Sequence, residues 1–169
     1  MRKPIIADGF DSNAVSRAAS LLDRGEVVAF PTETVYGLGA DAFNAEAVAK
    51  IFELKKRPHF DPLIVHIADK EQVSTLAADV PAKARLLIER FWPGPLTLIL
   101  PKSGLIPDIV TSGLGTVGIR MPNHPVAMAL IRKLGRPIAA PSANPFGYMQ
   151  VMTLPSPIAV LCGDLHPSR

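Results

Sequence analysis

Several cationic and hydrogen-bonding residues follow short apolar segments of the sequence, where they could converge on an anionic ligand. Lys55 and Arg57 close one candidate helix, and Arg120 ends an otherwise apolar segment. Lysine acts as a point charge, whereas arginine offers a bidentate fork that matches carboxylates and phosphates. Ser142 and Asn144 add a hydroxyl and an amide that can bind phosphate oxygens. These residue types predict a site for an anionic small molecule.

A second polar group occupies the segment 31–39, directly after the apolar residues 27–30. Thr32 and Tyr36 supply a hydroxyl and a phenol, and two glycines could let the backbone approach a ligand closely. The segment is not a Walker loop, because the Gly-Lys-Ser/Thr ending is missing. His66 lies in another apolar segment, where strand alternation places it on the same face as Ile64.

Each of these features also has a purely structural interpretation. The cations at 55–57 suit the negative end of a helix dipole, and Ser142 and Asn144 favour turns in any case. The segment 31–39 reads equally well as a plain strand-to-helix turn, and a lone histidine is more often structural than catalytic. Taken together, however, the residues describe a cationic, hydroxyl-lined cleft without a nucleophile–base pair or metal-ligand spacing. Such a cleft suits an activation reaction that depends on positioning and charge neutralisation.

The elements that must position these residues alternate along the chain. Apolar periodicity with capping residues predicts helices over 11–25, 44–55, 81–92 and 125–135. Short apolar runs predict strands over 27–30, 63–67, 96–100, 116–120 and 137–140, with a further short strand over 158–162. This alternation indicates an α/β or α+β domain with a central mixed sheet. Because ligands of open α/β sheets bind beyond the carboxyl ends of the strands, we expect the polar clusters to meet at that edge.

Composition narrows the class of protein. The 169 residues, 48% of them hydrophobic and 20% charged, predict one soluble domain over 1–169, and the net charge of +3 is compatible with an anionic small molecule or with tRNA. No apolar run is long enough to cross a membrane, and the first residues do not resemble a signal peptide, so a cytoplasmic protein is expected. The single cysteine, Cys162, offers neither a disulfide nor a metal cluster.

Six motifs in fixed order make the chain resemble the YrdC-like family over roughly residues 10–148. They are FPTETVYGLG from Phe30, KKRP from Lys55, PLIVHI from Pro62, FWPGPLT from Phe91, GIRMP from Gly118 and APSAN from Ala140. Several motifs in one order are far more specific than a single glycine pattern. The resemblance implies a YrdC-like twisted mixed β-sheet flanked by helices, with a large concave basic cavity.

The resemblance also implies an activity, a nucleotidyl transfer that joins L-threonine, bicarbonate and ATP into threonylcarbamoyl-AMP and pyrophosphate. The product would serve the threonylcarbamoyladenosine modification of tRNA through a downstream transferase machinery, with tRNA or double-stranded RNA as a further contact. The resemblance also implies that Mg²⁺ would accompany ATP, although no dedicated carboxylate cage is visible in the sequence. No metal site within the protein is expected.

Particular residues acquire roles through the matching motifs. The resemblance places the catalytic and nucleotide contacts at Lys55 and Arg57, further nucleotide contacts at Thr116, Ser142 and Asn144, and the threonine contacts at Thr32, Tyr36, His66 and Arg120. In the implied mechanism the threonine amine forms a carbamate, whose oxygen attacks the α-phosphorus of ATP. Lys55 and Arg57 would offset charge on the phosphates and on the leaving pyrophosphate.

The chain departs from the family pattern after Gly147. Tyr148-Met149-Gln150-Val151 stands where the family continues with a Ser-Pro-Thr stretch and a helix, and the later Glu-Ser-Thr motif is absent. An atypical C-terminal end from about residue 149 is therefore expected, compatible with truncation, a shifted reading frame or a natural short form. Two alternatives stay open: a non-catalytic module of the same fold that binds RNA or nucleotide, and a carbamoyl-transfer domain of the kind found in larger maturation proteins.

Overall fold

The computed structural model describes residues 5–56 and 61–143 and the backbone of a further strand at 157–161. Arg57, Asn144, Cys162 and the atypical segment 148–156 lie outside the described residues. Helices are α1 (Ser12–Asp23), α2 (Ala45–Lys55), α3 (Val73–Leu76), α4 (Ala82–Phe91), α5 (Asp108–Thr111) and α6 (Pro125–Leu134). Strands are β1 (Ile5–Asp8), β2 (Val27–Phe30), β3 (Gly37–Asp41), β4 (Ile64–His66), β5 (Thr97–Pro101), β6 (Thr116–Arg120), β7 (Ile138–Ala140) and β8 (Pro157–Leu161).

The predicted helix ends coincide with capping groups. The Asp11 carboxylate accepts the N–H of Asn13 at the start of α1, and the Asn44 side chain accepts the N–H of Ala47 at the start of α2, each at 3.0 Å. Both side chains satisfy backbone donors that a helix start leaves unpaired. Helix α6 ends at Gly135, whose φ of 72° is the left-handed conformation that glycine adopts most easily.

The strands form one mixed sheet in the order β1-β8-β2-β3-β7-β4-β6-β5. Strands β4 and β6 run parallel, while the other neighbouring pairs of the described sheet are antiparallel. The predicted mixed sheet flanked by helices is confirmed. The expectation of a single ligand-binding edge is wrong, because β7 runs against β4 and the carboxyl ends of these two strands point in opposite directions.

Strand β3 corrects the interpretation of segment 31–39. The segment does not turn into a helix, since Gly37 already begins a strand that pairs with β2 on one side and β7 on the other. Residues 31–36 therefore connect two antiparallel strands. We refer to them as the 31–36 loop.

Apolar side chains cover both faces of the sheet. Val27 and Ala29 belong to a cluster with residues of α2 and α4, whereas the alternating residues Val28 and Phe30 pack with α1 and α6. Val117 and Ile119 of β6 point towards the first cluster, away from α1 and α6. Because side chains alternate along a strand, the remaining β6 positions lie on the face of α1 and α6. On that face, the half of the sheet formed by β4, β6 and β5 lies to the side of α1 and α6. Ile99 of β5 is accordingly 73% exposed.

Candidate functional site

A cavity of about 250 Å³ lies on the α1 and α6 face of the sheet, between the 31–36 loop and the ends of β4, β6 and β7. Its lining residues are Thr32, Thr34, Val35, Tyr36, Gly37, Pro62, Ile64, His66, Arg120, Ala140, Pro141 and Ser142. The structure thus brings together the four predicted threonine contacts and one predicted nucleotide contact, Ser142. Ile64 and His66 share the cavity face, as strand alternation predicted.

The parallel pairing of β4 with β6 sets His66 beside Arg120. The two residues are register partners, so their side chains leave the sheet on the same face. The backbone after β6 is held by the Phe91–Thr97 motif: Gly94 donates its N–H to the carbonyl of Met121 at 2.8 Å, and Trp92 Nε1 donates to the carbonyl of Leu96 at 2.7 Å. This motif therefore supports the end of β6 and does not line the cavity.

Arg120 is the buried cation of the cavity wall, with 8% of its surface exposed. Its Nη2 forms an ion pair with Glu33 Oε1 at 2.8 Å and a hydrogen bond with Thr34 Oγ1 at 3.1 Å. Its Nε is buried without a hydrogen-bond partner. The guanidinium thus joins the 31–36 loop to the sheet and keeps unused hydrogen-bonding capacity.

His66 is a buried part of the cavity wall and is uncharged at neutral pH. Burial lowers its pKa from 6.5 to about 4, and the neighbouring Arg120 charge acts in the same direction. Its ring meets the Phe30 ring edge-on, with centroids 5.8 Å apart and planes at 87°. Its Nδ1 is buried without a hydrogen-bond partner. A neutral imidazole can donate from one nitrogen and accept at the other, which suits recognition of a small polar ligand.

The two glycines of the Tyr36-Gly-Leu-Gly sequence make room for Phe30. A Cβ on Gly39 would lie 2.6 Å from Phe30 Cε1 and 2.5 Å from Ile138 Cγ2, and one on Gly37 would lie 3.1 Å from Phe30 Cζ. Gly37 also borders the cavity, but the predicted backbone approach to a ligand does not explain Gly39. Its lack of a side chain instead lets Phe30 lie against the sheet and support His66.

Thr32 organises the loop from within. Its hydroxyl donates to the carbonyl of Val35 at 2.6 Å and accepts the N–H groups of Thr34 and Val35, each at 3.2 Å. The Tyr36 hydroxyl is buried without a hydrogen-bond partner, and burial raises the pKa of this phenol. Thr32 therefore shapes the loop, while Tyr36 offers an unused polar atom in the cavity wall.

Lys55 reaches the cavity region from the last turn of α2. It is buried, and its Nζ donates to the carbonyl oxygen of Ser142. Lys55 is not among the cavity-lining residues, so it lies behind Ser142. Its predicted companions Arg57 and Asn144 lie outside the described residues.

Thr116 stands apart from the other predicted site residues. It shares the cavity face with Gly118 and Arg120 because strand positions two apart point the same way, but it begins β6 whereas Arg120 ends it. Four residues at about 3.3 Å each separate the two backbone positions by roughly 13 Å. Thr116 is exposed and pairs with Pro101 of β5.

Glu33 is a site residue that the sequence reasoning missed. Burial raises the pKa of its carboxyl. The hydrogen bond from Arg120, its positive charge and backbone N–H groups, including that of Asn123, together outweigh burial, so the pKa is lowered overall. The signal was present in the Phe30–Gly39 motif, where a carboxylate lies between the two threonines of a loop expected to approach a ligand. Such a residue needs a cationic partner.

Two classes of feature are not found in the described part of the chain. Residues 5–56 and 61–143 contain no group of three His, Cys, Asp or Glu side chains that could hold a metal ion. None of the described helices is long and apolar enough to cross a membrane.

Comparisons with known proteins agree with this geometry. A family model for Sua5, YciO and YrdC, described as "Telomere recombination", matches residues 20–161. The chain is 62% identical over 131 residues to a Bacillus subtilis protein named threonylcarbamoyl-AMP synthase, covering 77% of this chain and 38% of that protein. It is 58% identical over 127 residues to a protein of the same name from Pyrococcus abyssi, covering 75% of this chain and 37% of that protein.

A solved structure is also similar. The crystal structure of P. abyssi Sua5 complexed with L-threonine matches with a TM-score of 0.78 and 54% sequence identity, covering 79% of this chain and 39% of that chain. The chain thus spans about two fifths of the length of these relatives.

Proposed function

The chain belongs to the Sua5/YciO/YrdC family, and from that premise we propose that it is a nucleotidyltransferase that forms threonylcarbamoyl-AMP and pyrophosphate from L-threonine, bicarbonate and ATP. The observation that carries the proposal is the composition of the cavity wall. Among the described residues, Tyr36, His66 and Arg120 line one small cavity and each keeps a buried polar atom without a partner. Buried unpaired polar atoms are costly and concentrate where a protein meets a ligand.

The cavity suits the threonine end of the reaction. Its volume of about 250 Å³ fits an amino acid better than a whole nucleotide triphosphate. Arg120 would bind the α-carboxylate, since arginine pairs with carboxylates through charge-assisted hydrogen bonds. The neutral His66 and the Tyr36 phenol would bind the polar groups of the threonine backbone and side chain, and Thr32 would hold the loop around them.

The nucleotide would extend from this cavity towards the end of β7. Ser142 lies at that end, Lys55 contacts its backbone, and the sequence places Arg57 and Asn144 next to them. These residues would bind and neutralise the phosphates, with Lys55 and Arg57 acting in catalysis. Thr116 would contact a more distant part of the nucleotide across the open face of β6.

The chemistry would proceed in two bond-forming steps. The threonine amine attacks bicarbonate, a C–N bond forms and water leaves, which gives a carbamate. A carbamate oxygen then attacks the α-phosphorus of ATP, and the bond to the β-phosphate oxygen breaks to release pyrophosphate. The protein's contribution is to hold the reactants and to offset negative charge on the phosphates.

Mg²⁺ would arrive with the ATP phosphates. The described residues offer no carboxylate cluster for a resident ion, which is the usual situation for Mg²⁺ bound largely through substrate phosphates. We assign no protein ligand to it.

The cellular setting forms part of the same proposal. The product would feed threonylcarbamoyladenosine modification of tRNA through a downstream transferase, in the cytoplasm, and the chain would act as one domain over 1–169 with an atypical end. Direct tRNA contact would accompany this role.

Pyrophosphate release tests the proposal. The full chain should release pyrophosphate from ATP only when both L-threonine and bicarbonate are present, with serine as the control amino acid. Arg120→Met should lower kcat/KM for threonine by about 10- to 100-fold, mainly through KM, because a charged hydrogen bond to the carboxylate is lost. Arg57→Ala should sharply lower the maximal rate.

The control is Arg90→Met, which removes an arginine on α4, away from the cavity, and should leave the kinetics unchanged. Pyrophosphate release at the same rate with and without threonine would contradict the proposal. A folded chain that binds RNA in a salt-dependent way without any ATP turnover would support the non-catalytic alternative instead.

A further inference from the structure

The charge of Arg120 is largely offset before any ligand arrives. Glu33 Oε1 lies 2.8 Å from Arg120 Nη2, and the two side chains are only 20% and 10% exposed. The backbone N–H of Asn123 also faces the Glu33 carboxylate and lowers its pKa. Partial burial strengthens such a pair relative to one in water.

The two histidines near this pair add no charge at neutral pH. His66 has a pKa of about 4, and burial also lowers the pKa of His124, which lies close enough to Glu33 to feel its charge. This part of the wall therefore carries one positive and one negative group. Arg120 lines the cavity, whereas Glu33 lies behind it, outside the lining.

Resting on the proposed function, we propose that Glu33 is a specificity-determining residue. By offsetting the charge of Arg120, it makes the cavity favour a zwitterionic amino acid over a plain carboxylate anion.

An unopposed buried arginine would attract any carboxylate or phosphate of suitable size. With Glu33 behind it, an entering anion also meets repulsion, which cancels part of its attraction to Arg120. The ammonium group of an amino acid reverses this balance, because the Glu33 charge attracts it while Arg120 binds the carboxylate. A zwitterion is therefore favoured in a way that its deaminated analogue is not.

A purely structural role for Glu33 makes a different prediction. Glu33 ties the 31–36 loop to the end of β6, so its loss could simply loosen the loop. A looser loop would weaken the binding of the amino acid and of its deaminated analogue in parallel. Offsetting charge would instead change their relative affinities.

The test is calorimetric titration of the full chain at neutral pH with L-threonine and with 2,3-dihydroxybutanoate, in which a hydroxyl replaces the ammonium group. Glu33→Gln keeps the shape and a hydrogen-bond acceptor but removes the charge. We expect the ratio of the two dissociation constants, acid over threonine, to fall on the order of tenfold, the scale of one charge in a partly buried pair. Glu33→Ala, as a second neutral replacement, should lower the ratio in the same direction.

Glu89→Gln is the matched control, because Glu89 is an exposed carboxylate on α4 that forms an ion pair with Lys70. This variant should leave the ratio at the wild-type value. If the wild-type chain binds threonine and both Glu33 variants retain the wild-type ratio, the inference is overturned while the proposed function stands. A wild-type chain that binds neither ligand would overturn the threonine assignment of the proposed function, and this inference with it.

Discussion

At the scale of single residues, burial decides which side chains of the site carry charge. Arg120 donates hydrogen bonds to Glu33 and Thr34. His66 has no comparable anionic partner and loses its proton instead. The cavity wall therefore presents a guanidinium and a neutral imidazole side by side.

The low pKa of His66 predicts a pH-dependent stability. The folded pKa of about 4 lies below the unfolded value of 6.5, so the unfolded chain binds the extra proton between these values. Stability from this group is complete above pH 6.5 and is lost as the pH falls towards 4, by up to about 3 kcal/mol. Urea unfolding between pH 4 and 7.5 should show this slope, and His66→Leu should flatten it.

His124→Asn serves as the comparison, because asparagine can keep the cap that His124 provides to α6. This variant should retain most of the slope. Equal slopes in the wild type and in His66→Leu would show that other groups cause the acid sensitivity.

Gly39 lies where the sheet leaves no room for a side chain. Gly39→Ala places a Cβ 2.5 Å from Ile138 Cγ2 and 2.6 Å from Phe30 Cε1, within a packed region. Relieving such overlap typically costs about 1–3 kcal/mol of unfolding free energy. Gly104→Ala is the control, since a Cβ there meets nothing within 4 Å, and denaturant unfolding should show little change. Similar stabilities for the two variants would mean that Phe30 does not need the space at Gly39.

At the scale of elements, Arg136 joins three parts of the fold. Its Nε binds Asp41 Oδ2 at 2.7 Å at the end of β3, and its Nη2 binds Asp23 Oδ1 at 2.6 Å at the end of α1. Asp41 is buried, with 6% exposure, whereas the Asp23 side chain is 64% exposed. The connection between α6 and β7 is therefore fastened to both a helix and a central strand.

Removing Arg136 should destabilise the protein by more than removing its exposed partner. Arg136→Met leaves the buried Asp41 carboxylate without its cation, a loss of about 1–3 kcal/mol. Asp23→Asn breaks only the exposed pair, where about 0–1 kcal/mol is at stake. Thermal unfolding of the two variants checks the order. A Tm for Asp23→Asn as low as that for Arg136→Met would contradict the weight given to Asp41.

At the scale of the whole molecule, the four longer helices could be predicted because their signals are local, whereas the four-residue helices α3 and α5 were not predicted. Asp11, Asn44 and Gly135 mark helix ends by hydrogen bonds or backbone conformation within a few residues. Strand β3 could not be predicted in this way. Its sequence, GLGAD, has little intrinsic preference for a strand, and its conformation depends on pairing with β2 and β7, which lie elsewhere in the chain.

The site divides along the same line. Its residue types were readable from motifs, and five of the predicted residues do line one cavity. Their arrangement was not readable, because it depends on strand directions that the sequence does not encode locally. For this reason the cavity lies on a face of the sheet, whereas an edge was expected. The Glu33–Arg120 pair likewise joins segments that only the fold brings together.

The position of β8 has a consequence for how the chain acquires its structure during synthesis. In the sheet, β8 separates β1 from β2 and pairs with both, although it emerges from the ribosome long after them. The first strand therefore has no neighbour, and the outer edge of β2 stays uncovered, until residues 157–161 have been made. Pairings between such distant segments form slowly, and open strand edges invite contacts with other chains. The nascent protein must pass through that vulnerable interval before its sheet can close.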